Sequence, residues 1–261
     1  MHHHAPFFRL KALLSFLFFN TRVGTLLTAY YKGIIPSSGF FFDIRSPLVL
    51  PSTVAALFFG RFETSDCRFV EKYLYPDLDV IQLGGGIGVI SCHMSSRLKG
   101  NRKIIVVEAN PSLIPLLENN LHRNIKNTQF NIINAAVDYS KHDRIKVFIS
   151  TNFLSTSTSQ ISGGGCMVPT LTLGEIVSKH VTNMPYQLQM DIEGAEAGLL
   201  LYEETGILEQ CSQIITEFHE TTQDGKRLTV DELIDITTKK HNFYLVDRYG
   251  PVCVFRPESA M

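Results

Sequence analysis

The sequence predicts an open α/β fold built on a mostly parallel sheet, and three observations predict it. The first is a short apolar strand, Val80-Ile81-Gln82-Leu83, that runs into glycines at G-x-G-x-G spacing (Gly84, Gly86, Gly88) and then into an apolar helical stretch. Such a corner lets backbone pass close to a nucleotide-like ligand, and its tight turn calls for positive φ. The second is a regular alternation of strand and helix patterns from residue 79 onward, which suits crossovers better than hairpins. The third is a closing pair of strands, 242–247 and 251–256, joined by a hairpin at Gly250-Pro251.

The elements follow in order. Residues 1–62 read as an N-terminal helical and β extension, and 63–261 as the main domain. Met1-His2-His3-His4 is either an expression tag or native sequence and predicts no element of the fold. Residues 7–19 are basic and then strongly apolar, too short for a membrane span of about twenty residues. They are expected to pack on the domain or on a partner subunit of a homo-oligomer, with peripheral membrane contact and a signal or anchor as the alternatives. Residues 5–35 predict one or two helices ending at Gly33 and Pro36, and 40–44 and 48–50 predict short strands. A helix over 64–75 carries Phe69, Val70 and Leu74 on one face.

The alternating region then predicts strand 79–83, helix 87–98, strand 103–108, helix 111–124 and strand 128–136. Asn110-Pro111 is a helix-start pair, and Pro115 implies a kink or a delayed start. Residues 144–149 alternate as an edge strand, and 151–167, rich in Ser, Thr and Gly, predict a loop on the substrate side. Helix 173–180, strand 186–191, helix 196–206, strand 211–218 and helix 229–240 complete the order before the closing hairpin.

Composition bounds the function. The 261 residues are 44% hydrophobic and carry a net charge of −1 with no lysine- or arginine-rich block. That argues against a nucleic-acid partner, which needs a basic footprint. Five scattered cysteines without a C-x-x-C pair predict free thiols and a reducing, cytoplasmic setting.

The glycine spacing lacks the third glycine of a dinucleotide fingerprint, since Val89 stands there. It favours instead an adenosyl ligand without pyrophosphate, S-adenosylmethionine. Glu108, at the end of the second strand, is placed to accept bonds from the ribose hydroxyls. Residues 134–138 end the third strand with small residues, Ala136 among them, leaving room for an adenine whose edge Asn134 or Asp138 could bond. Asp191 and Glu193 end a central strand where ligands bind in open sheets, while Glu196 reads equally well as a first-turn helix acid. His219 ends the next strand with a side chain suited to proton transfer near neutrality. His93 reads as structural. No zinc spacing occurs; Asp191, Glu193 and Glu217 are oxygen donors, but no metal site is expected from their spacing.

The ordered set Glu63, VIQLGGGIGVIS, VEANPSLIPLLENNL, NAAVD, VPTLTLGEIV, LQMDIEGAE and ITEFHE resembles the FkbM-type methyltransferases over about residues 60–220. The resemblance implies a Rossmann-like class I methyltransferase fold, a seven-stranded sheet with an antiparallel last strand. It implies S-adenosylmethionine as cofactor, with Gln82, Gly84, Gly86, Gly88, Glu108, Asn110, Ala136 and Asp191 at its site. It further implies O-methylation of a hydroxyl on a sugar, glycan or small metabolite, with Asp191, Glu193 and His219 as catalytic candidates. Gln82 departs from the family's Asp, Gly86 from its Asn, Gly174 from its Thr-Leu-Asp, and Gln189 from its Lys-Ile-Asp. These departures keep a second reading open, a weak or inactive methyltransferase-like binding protein. A nicotinamide-dependent oxidoreductase fails on the glycine spacing.

Overall fold

A computed structural model describes residues 20–148 and 165–260; the apolar stretch 7–19 and most of the 151–167 loop lie outside them. Two compact units divide between Thr64 and Ser65.

In the first unit, helix α1 (Thr21–Tyr30) starts at Asn20, whose Oδ1 accepts a bond from the Val23 amide at 3.0 Å. The helix ends earlier than its apolar pattern suggests, because Lys32 and Gly33 turn the chain through positive φ. Residues 34–37 are therefore not helix but strand β1 (Ile34–Ser37), which pairs antiparallel with β2 (Phe40–Asp43). The strand expected at 48–50 is a turn. Pro51 follows it with a pre-set φ and opens helix α2 (Pro51–Phe58), which the sequence reading missed.

The second unit carries the α/β sheet. Helix α3 (Thr64–Tyr73) leads into β3 (Asp79–Leu83), α4 (Val89–Arg97), β4 (Lys103–Glu108), α5 (Ile114–Asn124) and β5 (Gln129–Asn134). Pro115 stands in the first turn of α5, the delayed start expected of it. The chain next forms β6 (Ala136–Val137), β7 (Arg144–Phe148) and β8 (Gly165–Leu171), a three-stranded side sheet in the order β6-β8-β7. Strand 128–136 thus splits between two sheets, and part of the expected loop is strand. After α6 (Leu173–His180) come β9 (Tyr186–Met190), α7 (Glu196–Tyr202), α8 (Thr205–Leu208) and β10 (Cys211–Glu217). A hairpin of β11 (Thr221–Gln223) and β12 (Lys226–Leu228) turns at Asp224-Gly225, both at positive φ. That pair is a type I′ signal present in the sequence. Helix α9 (Val230–His241), β13 (Phe243–Tyr249) and β14 (Val252–Pro257) close the fold.

The main sheet runs β13-β14-β10-β9-β3-β4-β5. Strand β14 is antiparallel to both of its neighbours, while β10, β9, β3, β4 and β5 pair in parallel. This is the seven-stranded topology that the resemblance implied. Every residue of β3 and β9 is buried, as expected for parallel strands covered on both faces.

The two faces differ. One carries Ile81, Leu83, Leu188, Met190 and Ile214 into an apolar core with residues of α6, α7 and α9. The other carries four buried glutamines, Gln82, Gln187, Gln189 and Gln213. Gln187 Nε2 donates to the Tyr75 carbonyl and Gln213 Nε2 to the Tyr73 carbonyl, tying the sheet to the end of α3.

Among the described residues, no helix is long and apolar enough to cross a membrane.

Candidate active site

The order of the sheet places the site. The chain leaves β3 toward β4 and β5 on one side and returns through β9 and β10 on the other. The crevice outside the carboxyl ends of β3 and β9 is therefore the topological switch point. Three of the loop glycines are required there. Gly84 lies at φ +90°, and a Cβ on it would fall 2.0 Å from the Asp191 carbonyl oxygen. A Cβ on Gly85 would fall 2.6 Å from Val106 Cγ1. Gly88, also at φ +90°, opens α4 as its N-cap. The glycine turn and the β9 end are thus in backbone contact, and only glycine permits it.

Glu108 is buried at the end of β4. Its Oε2 accepts from the Gly86 amide at 2.9 Å and its Oε1 from the Asn110 amide at 2.7 Å. Burial pushes its carboxyl above the ordinary range, against the pull of those amides. Asn110 is fully buried; its Oδ1 accepts from Ser112, while its Nδ2 has no partner. Gln82 lies on the glutamine face of β3, and its amide is engaged within the protein. It accepts from Ser91 Oγ at 2.5 Å and donates to the Gly84 carbonyl at 3.2 Å. Ala136 is buried in β6 against Val147 and Val168. Asn134 donates to the carbonyls of Glu108 and Ala109, and Asp138 accepts from the Ser140 amide.

Opposite the glycine turn, four side chains from two strand ends meet. Glu196 is fully buried, and its two oxygens accept from the Ile192 and Gly194 amides, each at 2.8 Å. It folds the 191–196 turn around itself, with Glu193 at φ +53° and Gly194 at φ +102°. His219, after β10, lies with Nδ1 3.3 Å from Glu196 Oε1. Its Nε2 stands 3.8 Å from Asp191 Oδ1 and 3.6 Å from Glu193 Oε2. Asp191, Glu193 and His219 are thus brought together. Glu196 joins them as an organising group more central than a first-turn acid.

Two further residues were missed in sequence. Asp66 of α3 is buried with Oδ1 unpartnered, and so is Gln189 with Oε1 unpartnered. Asp66 had a readable signal, an acid three and four residues before Phe69 and Val70 on the buried face of an amphipathic helix. His93 is structural as expected, with Nδ1 2.9 Å from Glu71. From Glu193 a cavity of about 930 Å³ extends past Tyr139, Tyr202, Thr221 and Arg227.

Burial opposes charge on His219, but the bond to Glu196 and the charges of Glu196, Asp191 and Glu193 outweigh it and push its pKa up to about 9. Burial, and then the Asp66 charge, push Asp191 up to about 8. Burial, then Glu217, push Asp66 up to about 7. In each case the folded protein holds its proton to higher pH than the unfolded chain. The stability contributed by the two carboxyls is therefore expected to fall between about pH 4 and 8, and that contributed by His219 between about pH 6.5 and 9. Urea titrations at pH 6.5 and 9 check this. In His219→Gln the decline should be shallower, and an unchanged slope would remove His219 from the titrating cluster.

The FkbM methyltransferase domain model matches residues 83–245, well over half of the chain. No curated protein matches it. Among solved structures, a ribosomal protein L11 methylase from Lactobacillus delbrueckii subsp. bulgaricus is 10% identical with a TM-score of 0.44, over 76% of this chain and 80% of that one. A precorrin-6y C5,15-methyltransferase from Geobacter metallireducens is 12% identical with a TM-score of 0.41, over 74% and 87%. A tRNA m1G37 methyltransferase from M. jannaschii is 15% identical with a TM-score of 0.43, over 86% and 56%.

Proposed function

Because this chain belongs to the FkbM methyltransferase family, whose methyl donor is S-adenosylmethionine, we propose that it methylates a hydroxyl oxygen on a sugar, glycan or small metabolite. The observation that carries the reading is the convergence of Asp191, Glu193 and His219 at the carboxyl edge of the sheet, with Asp191 against the Gly84 turn.

The residues present fit the donor. Glu108 suits the ribose diol, the unpartnered Nδ2 of Asn110 offers a buried donor, and the Gly84–Gly85 cradle is space that a Cβ would fill. When bound, S-adenosylmethionine supplies an electrophilic methyl group on a sulfonium. The rest is done by side chains of this chain. Asp191 and Glu193 orient the acceptor hydroxyl, and the Asp191–Glu193–His219 corner, in its deprotonated form, takes its proton. Glu196 fixes the imidazole by receiving Nδ1–H, so that Nε2 faces the crevice. Much of the acceleration in such a site comes from holding two reactants in one geometry. The cavity beyond Glu193 is the acceptor's side. A net charge of −1 supports an acceptor other than nucleic acid.

A donor-binding protein without turnover is the second reading, and Gln82 favours it, since its neutral amide is spent on Ser91 and Gly84. Calorimetric titration with S-adenosylmethionine and S-adenosylhomocysteine tests the donor, and mass spectrometry of cell extracts with and without the protein seeks the methylated product. Binding of neither adenosyl ligand would sink the assignment. Gln82→Asp is expected to tighten donor binding, because a charge-assisted hydrogen bond is about twice as strong as a neutral one. It should also lower the stability of the free protein, by burying a carboxylate and losing the bond to the Gly84 carbonyl. Unchanged affinity in a folded Gln82→Asp variant would show that this position does not face the donor.

A further inference from the structure

We infer that the exposed face of α1 docks the protein on an anionic membrane surface, with Leu26 and Tyr30 entering the headgroup layer between the cations Arg22 and Lys32. The distribution of charge is the first reason. The chain has 24 lysines and arginines and 25 acids. The first unit, Met1–Thr64, holds six of the cations (Arg9, Lys11, Arg22, Lys32, Arg45 and Arg61) and two of the acids (Asp43 and Glu63), a net charge of +4. The second unit, Ser65–Met261, holds the other 18 and 23, a net of −5. A near-neutral chain therefore contains a basic unit, and basic segments are drawn to anionic lipid. Asp43 is buried and bonded to Arg45, whose Nη2 lies 2.6 Å from its Oδ2. Among the described residues, Arg22, Lys32 and Arg61 have no carboxylate within 4.0 Å, and all three are exposed.

The second reason is the helix face itself. Arg22, Leu26 and Tyr30 are spaced by four residues and share one side of α1, which contains no acid. Leu26 is 70% exposed and Tyr30 79%. Lys32 follows two residues later, exposed on the turn at φ +52°. One exposed leucine is ordinary on any protein, but an apolar pair flanked by cations is what an interfacial helix presents to lipid. Tyrosine suits that depth, because its ring is apolar and its hydroxyl polar. The Tyr30 ring packs edge-on against Tyr31 at 4.9 Å, and Tyr31 packs on Phe58 of α2 at 5.5 Å.

The third reason is the sequence that runs into α1. Arg9 and Lys11 precede Phe16-Leu17-Phe18-Phe19, the same pairing of cations with large apolar residues. A nucleic acid would match the cations but gives Leu26 and the phenylalanines nothing to enter. The inference does not rest on the donor or the acceptor of the reaction.

The test is co-sedimentation of the full chain with vesicles of phosphatidylcholine alone and of phosphatidylcholine mixed with phosphatidylserine, at low and high salt. Binding to the mixed vesicles is expected, weaker by at least about tenfold on phosphatidylcholine alone or at high salt. Arg22→Gln with Lys32→Gln should weaken it by at least about tenfold through lost charge. Leu26→Gln with Tyr30→Gln should weaken it by at least about tenfold through lost apolar contact, while keeping its salt dependence. All four positions are exposed, so circular dichroism and S-adenosylmethionine affinity should stay as in the parent. No binding to the mixed vesicles overturns the proposal, and so does equal binding to both kinds. Binding unchanged in either double variant also overturns it, by moving the contact to residues 1–19 or by removing the apolar or the charged half of the face. The remaining occupant is a second copy offering its acidic unit. Sedimentation velocity that shows self-association lost in Arg22→Gln with Lys32→Gln, without vesicle binding, would assign the face to that copy and overturn the membrane contact. Failure to bind S-adenosylmethionine would bear on the methyltransferase reading alone.

Discussion

Asp191→Asn is expected to lower methyl transfer by about 10²- to 10⁴-fold, the usual worth of a positioned proton acceptor, while raising the thermal midpoint. The two effects have one cause. Asp191 ends β9 with Oδ1 buried and unpartnered, beside Asp66. Its carboxyl is pushed up to about 8 by burial and then by that charge, so ionising it in the folded state is unfavourable. The sign is fixed by linkage. Below about pH 4 the unfolded chain is protonated as well, and the substitution gains nothing from charge. Above about pH 8 the native carboxyl is forced to ionise, and the neutral amide gains most. A residue that merely supports the fold would show the opposite, a fall in stability. Turnover assays and thermal melts at pH 7 and 9 decide it; unchanged turnover removes Asp191 from the mechanism. A gain of stability on losing the site would mark Asp191 as kept for function at a structural cost.

Gly84→Ala carries the largest expected effect on the fold. Its Cβ would sit 2.0 Å from the Asp191 carbonyl oxygen at φ +90°. Overpacking costs about 1–3 kcal/mol and a left-handed non-glycine residue about 1–2 kcal/mol more. Together they predict a loss of about 2–5 kcal/mol, a large share of the 5–15 kcal/mol typical of a whole domain. Urea unfolding measures it. Because the clash is with backbone, relief requires β3 and β9 to part at their carboxyl ends. Donor affinity should therefore fall even where the variant still folds. A loss of stability below about 1 kcal/mol would mean that the turn and Asp191 are not in contact.

The parts of the fold read best in sequence were those with one strong local period. The strands at 79–83 and 103–108, the glycine turn and the closing hairpin lie within a residue or two of their predicted places. Errors came where local signals competed. The apolar run 48–50 looked like a strand but leads into α2, whose proline start governs the geometry. Gly165–Leu171 looked like loop because glycine and proline dominate it, yet pairing with β7 makes it a strand. In the site, residues at strand ends were legible because open sheets bind ligands there. Asp191, Glu193 and His219 share a corner for that reason. The partnership of Glu196 with His219 was not legible, since only the register of β9 beside β10 brings residues 23 apart together. Gln82 stood out as a departure, but its bonds to Ser91 and Gly84 depend on how α4 docks.

The glutamine face of the sheet has a consequence for how the protein tolerates change. The oily face is fastened by area, and area is forgiving: a methyl lost in one place is partly recovered by neighbours settling in. The amide face is fastened by direction. Gln187 and Gln213 each grip a particular carbonyl at the end of α3. The helix that bears Asp66 is thereby pinned at one height above the strand that bears Asp191. Drift on the oily face should show up as altered melting temperature with the chemistry intact. Drift among the glutamines should instead slide one acid past another, leaving a protein that is folded and out of alignment.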